Sequence, residues 1–321
     1  LQPHGYCFGP DVATSSRATL GGMIANNSSG ARAPLYGTTA DHIVSLDVIL
    51  PNGTCATAGA GQDGLTEHRD FVDALVTGHA DLIRERMPEG LVKRWHGYGL
   101  DKYLKSSGDL TQIISASEGT LAVVISAVLN IVPLPGEKAL GVIFFEGSAE
   151  AMQATVEILD LQPAAIEHVD RVLFDQTRGQ RQFKAAREML NLDDLSVNSF
   201  LIVEFYGNIE EKLNALSRKG LGLRTACYTD AADMARIWAL RKAGLSLLTG
   251  RVGPAKPIAG LEDVAVLPKH LPEYVAAFKQ AVAPLGMETS FYGHAASGLL
   301  HVRPIVDLHK AEDIQKFRVL S

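Results

Sequence analysis

The sequence predicts a two-domain α+β chain whose second part is a ferredoxin-like sandwich, an open sheet covered by helices on one face. Three observations predict it. After Pro133-Leu134-Pro135-Gly136 the pattern becomes strand and helix in alternation, joined by short links. Before that point a glycine-rich stretch, Pro10 to Gly53, runs into a strand that stops at Pro51-Asn52-Gly53. A length of 321 residues exceeds one typical domain and allows two apolar cores.

In the first stretch, Gly21, Gly22 and Gly30 sit among Thr19, Ala25, Asn26, Asn27, Ser28 and Ser29. Small side chains let backbone N–H groups approach a ligand, which suits a phosphate. The same residues also populate ordinary turns, so spacing alone leaves both readings open. The motif G-x-G-x-x-G of nicotinamide sites is absent. Ile43 to Leu50 reads as strand, and residues 66–87 carry a helical pattern ending at Pro88. Tyr98, Leu100, Tyr103 and Leu104 suggest a short helical segment. Glu118-Gly119-Thr120 reads as a turn, and Leu121 to Val132 as a buried strand.

Past the boundary, strands are expected at Leu140–Glu146, Ala164–Val169, Phe200–Tyr206 and Leu223–Tyr228. Helices are expected at Ala149–Leu161, Glu210–Lys219, Ala231–Leu248 and Lys269–Ala283. No internal repeat or low-complexity segment is evident.

Composition excludes several classes. A net charge of -6, with both signs mixed along the chain, offers no basic stripe for nucleic acid. Cys7, Cys55 and Cys227 are odd in number and widely spaced, against a disulfide framework or a thiolate metal site, and they fit a reducing compartment. No apolar run reaches the roughly 18 residues that cross a bilayer, and no signal peptide opens the chain. The start at Leu1, in loop-like sequence without Met, suggests a piece of a longer protein.

His294 and His301 are seven residues apart. On a helix they would share a face, but Gly293 and Gly298 favour a loop between strands, across which both can still reach one metal ion. Such a pair can equally be structural. Arg241 lies on the Trp238-containing helix and reads as a solvated edge, Lys256 as a loop charge, and Arg303 as a partner for Asp307. Glu262 and Asp263 point to opposite faces if they lie in a strand, so they are no simple acid–base pair; one is expected to hold Arg241 or Lys256. Cys55 and Cys227 lack an adjacent base.

Several motifs, in order, carry a resemblance. They are Thr19-Leu20-Gly21-Gly22, Asn26-Asn27-Ser28-Ser29-Gly30, Tyr36-Gly37-Thr38-Thr39, Ser117-Glu118-Gly119-Thr120-Leu121-Ala122-Val123-Val124, Gly260 to Val266 and Tyr292 to Pro304. Together they resemble the vanillyl-alcohol oxidase / para-cresol methylhydroxylase (PCMH) superfamily, over nearly the whole chain. Within it the chain is similar to the FAD-linked D-lactate and D-2-hydroxyglutarate dehydrogenases, in the branch fused to iron-sulfur modules.

The resemblance implies the second part of a PCMH-type FAD-binding domain at residues 1–135, lacking its upstream phosphate loop. A substrate cap would follow at 136–321, truncated at its C-terminus. FAD would meet Pro10, Thr19, Gly21, Gly22, Asn26, Asn27, Gly30 and Gly37, with Glu118, Gly119, Val123 and Ile125 toward its adenosine end. Arg241 and Lys256 would face a substrate carboxylate, with Arg303 as a further positive group. His294 and His301 would ligate a divalent cation, zinc or manganese, in the longer parent. There the family's G-H-x-G-D-G-N-x-H is altered to Ala296, Ser297 and Leu299, and a third ligand and the general base would fall beyond Ser321.

The implied reaction is oxidation of a D-2-hydroxy acid to the 2-oxo acid, with electrons passed to an iron-sulfur module or quinone. The implied location is the cytoplasm or the inner face of the membrane. Alternatives are another flavin oxidase on the same fold, an inactive fragment and, remotely, a metal-dependent hydrolase.

Overall fold

The computed structural model describes residues 1–59, 61, 64–87, 89–93, 97–106, 108–261 and 264–321. It divides into two compact units, Leu1–Leu134 and Pro135–Ser321. Glu262, Asp263 and Pro88, which carry expectations above, lie outside the described residues.

The first unit runs β1 (Tyr6–Cys7), α1 (Leu20–Asn26), α2 (Ala33–Tyr36), β2 (Ile43–Ile49), β3 (Cys55–Gly59), α3 (Thr66–Gly78), α4 (Ala80–Arg86), α5 (Leu100–Ser106), α6 (Thr111–Ile114), β4 (Val123–Leu129) and β5 (Val132–Pro133). Strands β3, β2 and β4 form an antiparallel sheet in that order. Leu46 and Val48 of β2 pack with Ile83, Val76, Ile113 and Tyr103 on one side of it. On β4, Val124 and Ala127 pack against this core while Val123, Ile125 and Val128 are exposed, at 63%, 56% and 58%. The apolar run there is therefore half-covered rather than buried as expected. The helical pattern at 66–87 is two helices broken at His79. The glycine stretch, expected as loop, contains α1.

The second unit runs β6 (Lys138–Phe145), α7 (Ser148–Ile158), β7 (Ala165–Asp170), α8 (Arg171–Phe174), α9 (Lys184–Met189), β8 (Ser199–Tyr206), α10 (Ile209–Arg218), β9 (Arg224–Tyr228), α11 (Ala231–Lys242), α12 (Gly244–Thr249), β10 (Lys256–Pro257), β11 (Val264–Ala265), α13 (Leu271–Val282), β12 (Thr289–His294), β13 (Leu299–Val306) and α14 (Ala311–Leu320). Its antiparallel sheet has the order β10-β13-β12-β7-β8-β6-β9, with β11 also on β13. The order β7-β8-β6-β9 with crossovers α7 and α10 is the ferredoxin-like arrangement. The β12–β13 hairpin extends it beyond β7.

Helices cover both faces, not one. Along β6, Ala139, Ile143 and Phe145 pack under α7, α10 and α13, while Leu140, Val142 and Phe144 pack under α8, α9, α11 and α12. Strands apolar on both sides need such double cover, and β6 and β8 are near-continuous apolar runs. The helix expected at Ala231–Leu248 breaks at Ala243. No helix among the described residues is long and apolar enough to cross a membrane.

Asp170, at the end of β7, caps α8 by accepting from the Leu173 amide. It also accepts from the Phe291 amide and the Ser290 hydroxyl, which fastens β12 to β7. Burial pushes its carboxyl from the usual 3.8 up to about 7, against the pull of those three donors. The folded chain therefore holds this proton where the unfolded chain has released it, so stability falls as pH rises from 3.8 to about 7. In urea titrations the wild-type midpoint should drop relative to that of Asp170→Asn across this window; parallel pH curves would refute it.

The turn of the β12–β13 hairpin depends on Gly298. Its φ is 71°, and a Cβ there would lie 1.7 Å from the Val266 carbonyl oxygen. Gly298→Ala should cost the second unit about 1–3 kcal/mol from backbone strain, with the clash added. Chemical denaturation measures it, and an unchanged midpoint would count against this geometry.

Candidate functional site

Two sets of residues stand out, one in each unit. In the first, the Thr19 hydroxyl caps α1 by accepting from the Gly22 amide at 3.1 Å. That amide is thus committed to the chain itself and is not a free phosphate donor. The helix ends at Asn27, whose φ of 49° is left-handed and whose side-chain oxygen accepts from the Ala40 amide. Ser28 offers its carbonyl to both the amide and the hydroxyl of Thr39.

The 116–118 turn docks on the same helix end. The Ala116 amide donates to Ile24 O and the Glu118 amide to Ala25 O at 2.9 Å. Thr19, Gly21, Gly22, Asn26, Glu118 and Gly119 are exposed there, and Gly21 has open space where a Cβ would stand. An exposed glycine that the chain's own packing does not require fits a face that a flat ligand approaches.

Gly30 and Gly37 have internal reasons instead. A Cβ on Gly30 would lie 1.6 Å from Asp11 O, and one on Gly37 would lie 2.6 Å from the Asp41 carboxylate. Pro10 is buried, while Val123 and Ile125 are exposed on β4. The fit to FAD therefore rests on the Gly21 and Glu118–Gly119 face rather than on every residue the resemblance implies.

The second set is built on the sheet. In β7 alternate residues face opposite sides, so Glu167 faces the α11 side and His168 the other. Both are buried, Glu167 to 1% exposure. Burial drives the His168 imidazole down to about 3, so it is neutral. For Glu167, burial favours the neutral carboxyl, but Arg241 and His294 outweigh it and hold the group below the usual carboxylate range.

The geometry shows how. Arg241 Nη2 lies 2.6 Å from Glu167 Oε2, and His294 Nδ1 lies 2.8 Å from Oε1. An ionised carboxylate only accepts, so Nδ1 of His294 is the donor, and in a neutral ring Nε2 would carry the lone pair. The Arg241 guanidinium is 5.3 Å from the Tyr292 ring centroid. Tyr292 and His301 are paired across the hairpin with rings 4.9 Å apart, and the His301 ring is 5.5 Å from that of His294.

Arg241 is thus a buried, ion-paired residue and not the solvated helix edge of the pattern reading. Its carboxylate partner is Glu167. Lys256 donates to the Arg251 carbonyl. Arg303, buried opposite Ser290, lies on the strand face that carries His301, two residues along. The hairpin reading of the two histidines agrees with this geometry. They supply two imidazoles, and no group of three His, Cys, Asp or Glu among the described residues could hold a metal ion. A catalytic divalent site generally uses three protein ligands, so the described residues alone do not fit one. Glu167 was missed in the sequence, although a carboxylate beside a histidine inside the apolar run Ala164 to Val169 is an available signal.

Comparison with known proteins follows the same division. A profile of the FAD binding domain matches residues 1–59, and one of FAD linked oxidases, C-terminal domain, matches residues 134–320. The D-2-hydroxyglutarate dehydrogenase of Pantoea ananatis is 30% identical over 336 residues, covering 96% of this chain and 33% of that protein. The D-lactate dehydrogenase of Archaeoglobus fulgidus is 25% identical over 309 residues, covering 94% and 57%. The chain thus spans a third of the length of the first relative and little more than half of the second. Among solved structures, an alkyldihydroxyacetonephosphate synthase aligns with a TM-score of 0.63 at 16% identity, covering 99% of this chain and 55% of that one. A p-cresol methylhydroxylase aligns at 0.59 and 14%, covering 99% and 61%, which shows the shared fold. With more than half of its length matched by their C-terminal domain, the chain belongs to the FAD linked oxidases.

Proposed function

We propose that this chain is part of an FAD-dependent enzyme that oxidises a D-2-hydroxy acid to the 2-oxo acid and passes the electrons to an iron-sulfur or quinone acceptor. The observation that carries the reading is the buried cluster of the second unit. Arg241, ion-paired to Glu167, and Arg303, on the strand face of His301, supply two buried guanidinium groups near a pair of histidines. The similarity of the chain to relatives named D-2-hydroxyglutarate and D-lactate dehydrogenase supports the substrate class.

In this reading Arg303, Arg241 and Lys256 attract the substrate carboxylate, and a guanidinium fork can hold both of its oxygens. Burial strengthens that attraction, since little water screens it. His294 Nε2, with Nδ1 committed to Glu167, is the nitrogen left for the hydroxyl end of the substrate. The Gly21 and Glu118–Gly119 face would hold FAD, whose chemistry here would be that of a hydride acceptor. A divalent cation enters only if the longer enzyme supplies a third ligand. The exposed free thiols of Cys55 and Cys227 support a reducing compartment such as the cytoplasm.

The test is direct. Purified full-length parent should show flavin absorbance, and a D-2-hydroxy acid added without oxygen should bleach it while the L enantiomer does not. Arg303→Lys should raise KM for the acid about tenfold, the cost of roughly one strong hydrogen bond, with flavin content unchanged. Failure of every D-2-hydroxy acid to bleach the flavin would sink the substrate class.

A further inference from the structure

Two of the groups assigned to the substrate, Arg241 and His294, meet on Glu167, to which no role has been given. Glu167 projects from β7, a strand paired on both edges, by β12 and by β8. It keeps 1% of its side chain exposed, against 15% for His294. Each of its oxygens has a separate partner: Oε1 takes the His294 Nδ1 proton and Oε2 faces Arg241 Nη2. The partners are also linked by a second route. Arg241 lies by the Tyr292 ring, Tyr292 stacks against His301, and His301 meets His294 edge-on. The contacts close into a circuit in which Glu167 is the carboxylate shared by Arg241 and His294.

From this geometry we infer that Glu167 is the positioning residue of the substrate cluster: one carboxylate sets the His294 tautomer, leaving Nε2 as the acceptor, and fixes the orientation of the Arg241 guanidinium. A buried acceptor-only group offers His294 a single favourable neutral form, Nδ1–H. Placing Arg241 through the same carboxylate ties carboxylate capture to the state of the histidine. Glutamine at this position has one acceptor oxygen and an NH2 donor, so it can satisfy one partner and must face the other with the wrong group. Aspartate keeps both acceptor oxygens on a shorter arm. The kinetic consequence rests on the hydroxy-acid reading above; the tautomer does not.

Two measurements test it. Histidine ring nitrogen spectra of the 15N-labelled 321-residue chain at about pH 8, where an ordinary imidazole is neutral, report the tautomer directly. The His294 signals are identified by their loss in His294→Gln. The expected result is Nδ1–H in the wild type and in Glu167→Asp, and a shift toward Nε2–H in Glu167→Gln. An Nε2–H wild-type ring overturns the proposal whether or not the variants fold.

In the full-length enzyme, folded Glu167→Gln should raise KM for the hydroxy acid about 10- to 100-fold with flavin content retained, and Glu167→Asp should recover part of it. A folded Glu167→Gln with unchanged tautomer and unchanged KM also overturns it. If wild-type enzyme is not reduced by any D-2-hydroxy acid, the substrate reading fails, and the tautomer spectra still decide the role of Glu167.

Discussion

Glu167 is removed almost wholly from water, and an ionised carboxylate so placed costs several kcal/mol unless opposite charge and hydrogen bonds offset it. Arg241 and His294 supply that offset, and each comes from a different element. The guanidinium is delivered by the last turn of α11, the imidazole by the last residue of β12. The arrangement is consequently an all-or-none constraint on the second unit: β7, β12 and α11 must be in register together, or a charge is left buried without a partner. Removing one member of such a buried pair typically destabilises by about 3–5 kcal/mol. A cluster that constrains packing this strongly also arrives preorganised, with Arg241 and His294 fixed against Glu167.

The sheet explains why the cluster lies where it does. The ferredoxin-like strands β7, β8, β6 and β9 form an apolar platform with little room for polar groups, since both of its faces are covered. The β12–β13 hairpin adds two strands at the β7 edge, and polar side chains collect at that junction: Glu167 and Asp170 on β7, His294 on β12, His301 and Arg303 on β13. Asp170 and Glu167 divide the work by environment. Asp170 accepts from two amides and a hydroxyl, and burial pushes it toward the neutral form. Glu167 has Arg241 and His294 beside it and stays ionised. The first ties the hairpin to the platform, and the second holds Arg241 and His294 together.

Much of the platform was legible because its strands are long apolar runs between turn residues, and the observed bounds of β6, β7, β8 and β9 differ from expectation by one or two residues. The hairpin was legible through Gly293 and Gly298. The second layer of helices was not, because α8 and α9 are short and lie in the 171–198 segment, where no helical period stands out. The helix α1 was hidden by Gly21 and Gly22, residues with poor intrinsic helix propensity. It forms through the Thr19 cap and the docking of the 116–118 turn. Glu167 was hidden for a related reason: its partners are 74 and 127 residues away along the chain, so only the folded sheet brings them together.

The glycine stretch also changes meaning once folded. Read by spacing, its amides form an anion cradle; in the structure the Gly22 amide is taken by Thr19, and Gly30 and Gly37 are glycines because Asp11 and Asp41 leave no room for a Cβ. What remains for a ligand is narrower, an exposed edge where Gly21 lies open and where the 116–118 turn delivers Glu118 and Gly119 with positive φ values of 53° and 75°. A left-handed glutamate is strained and persists only where surrounding contacts fix it. Here the hydrogen bond from its own amide to Ala25 does so. The strain therefore belongs to the joint between α1 and the turn, which fixes the backbone of Glu118 and Gly119 at the exposed helix end.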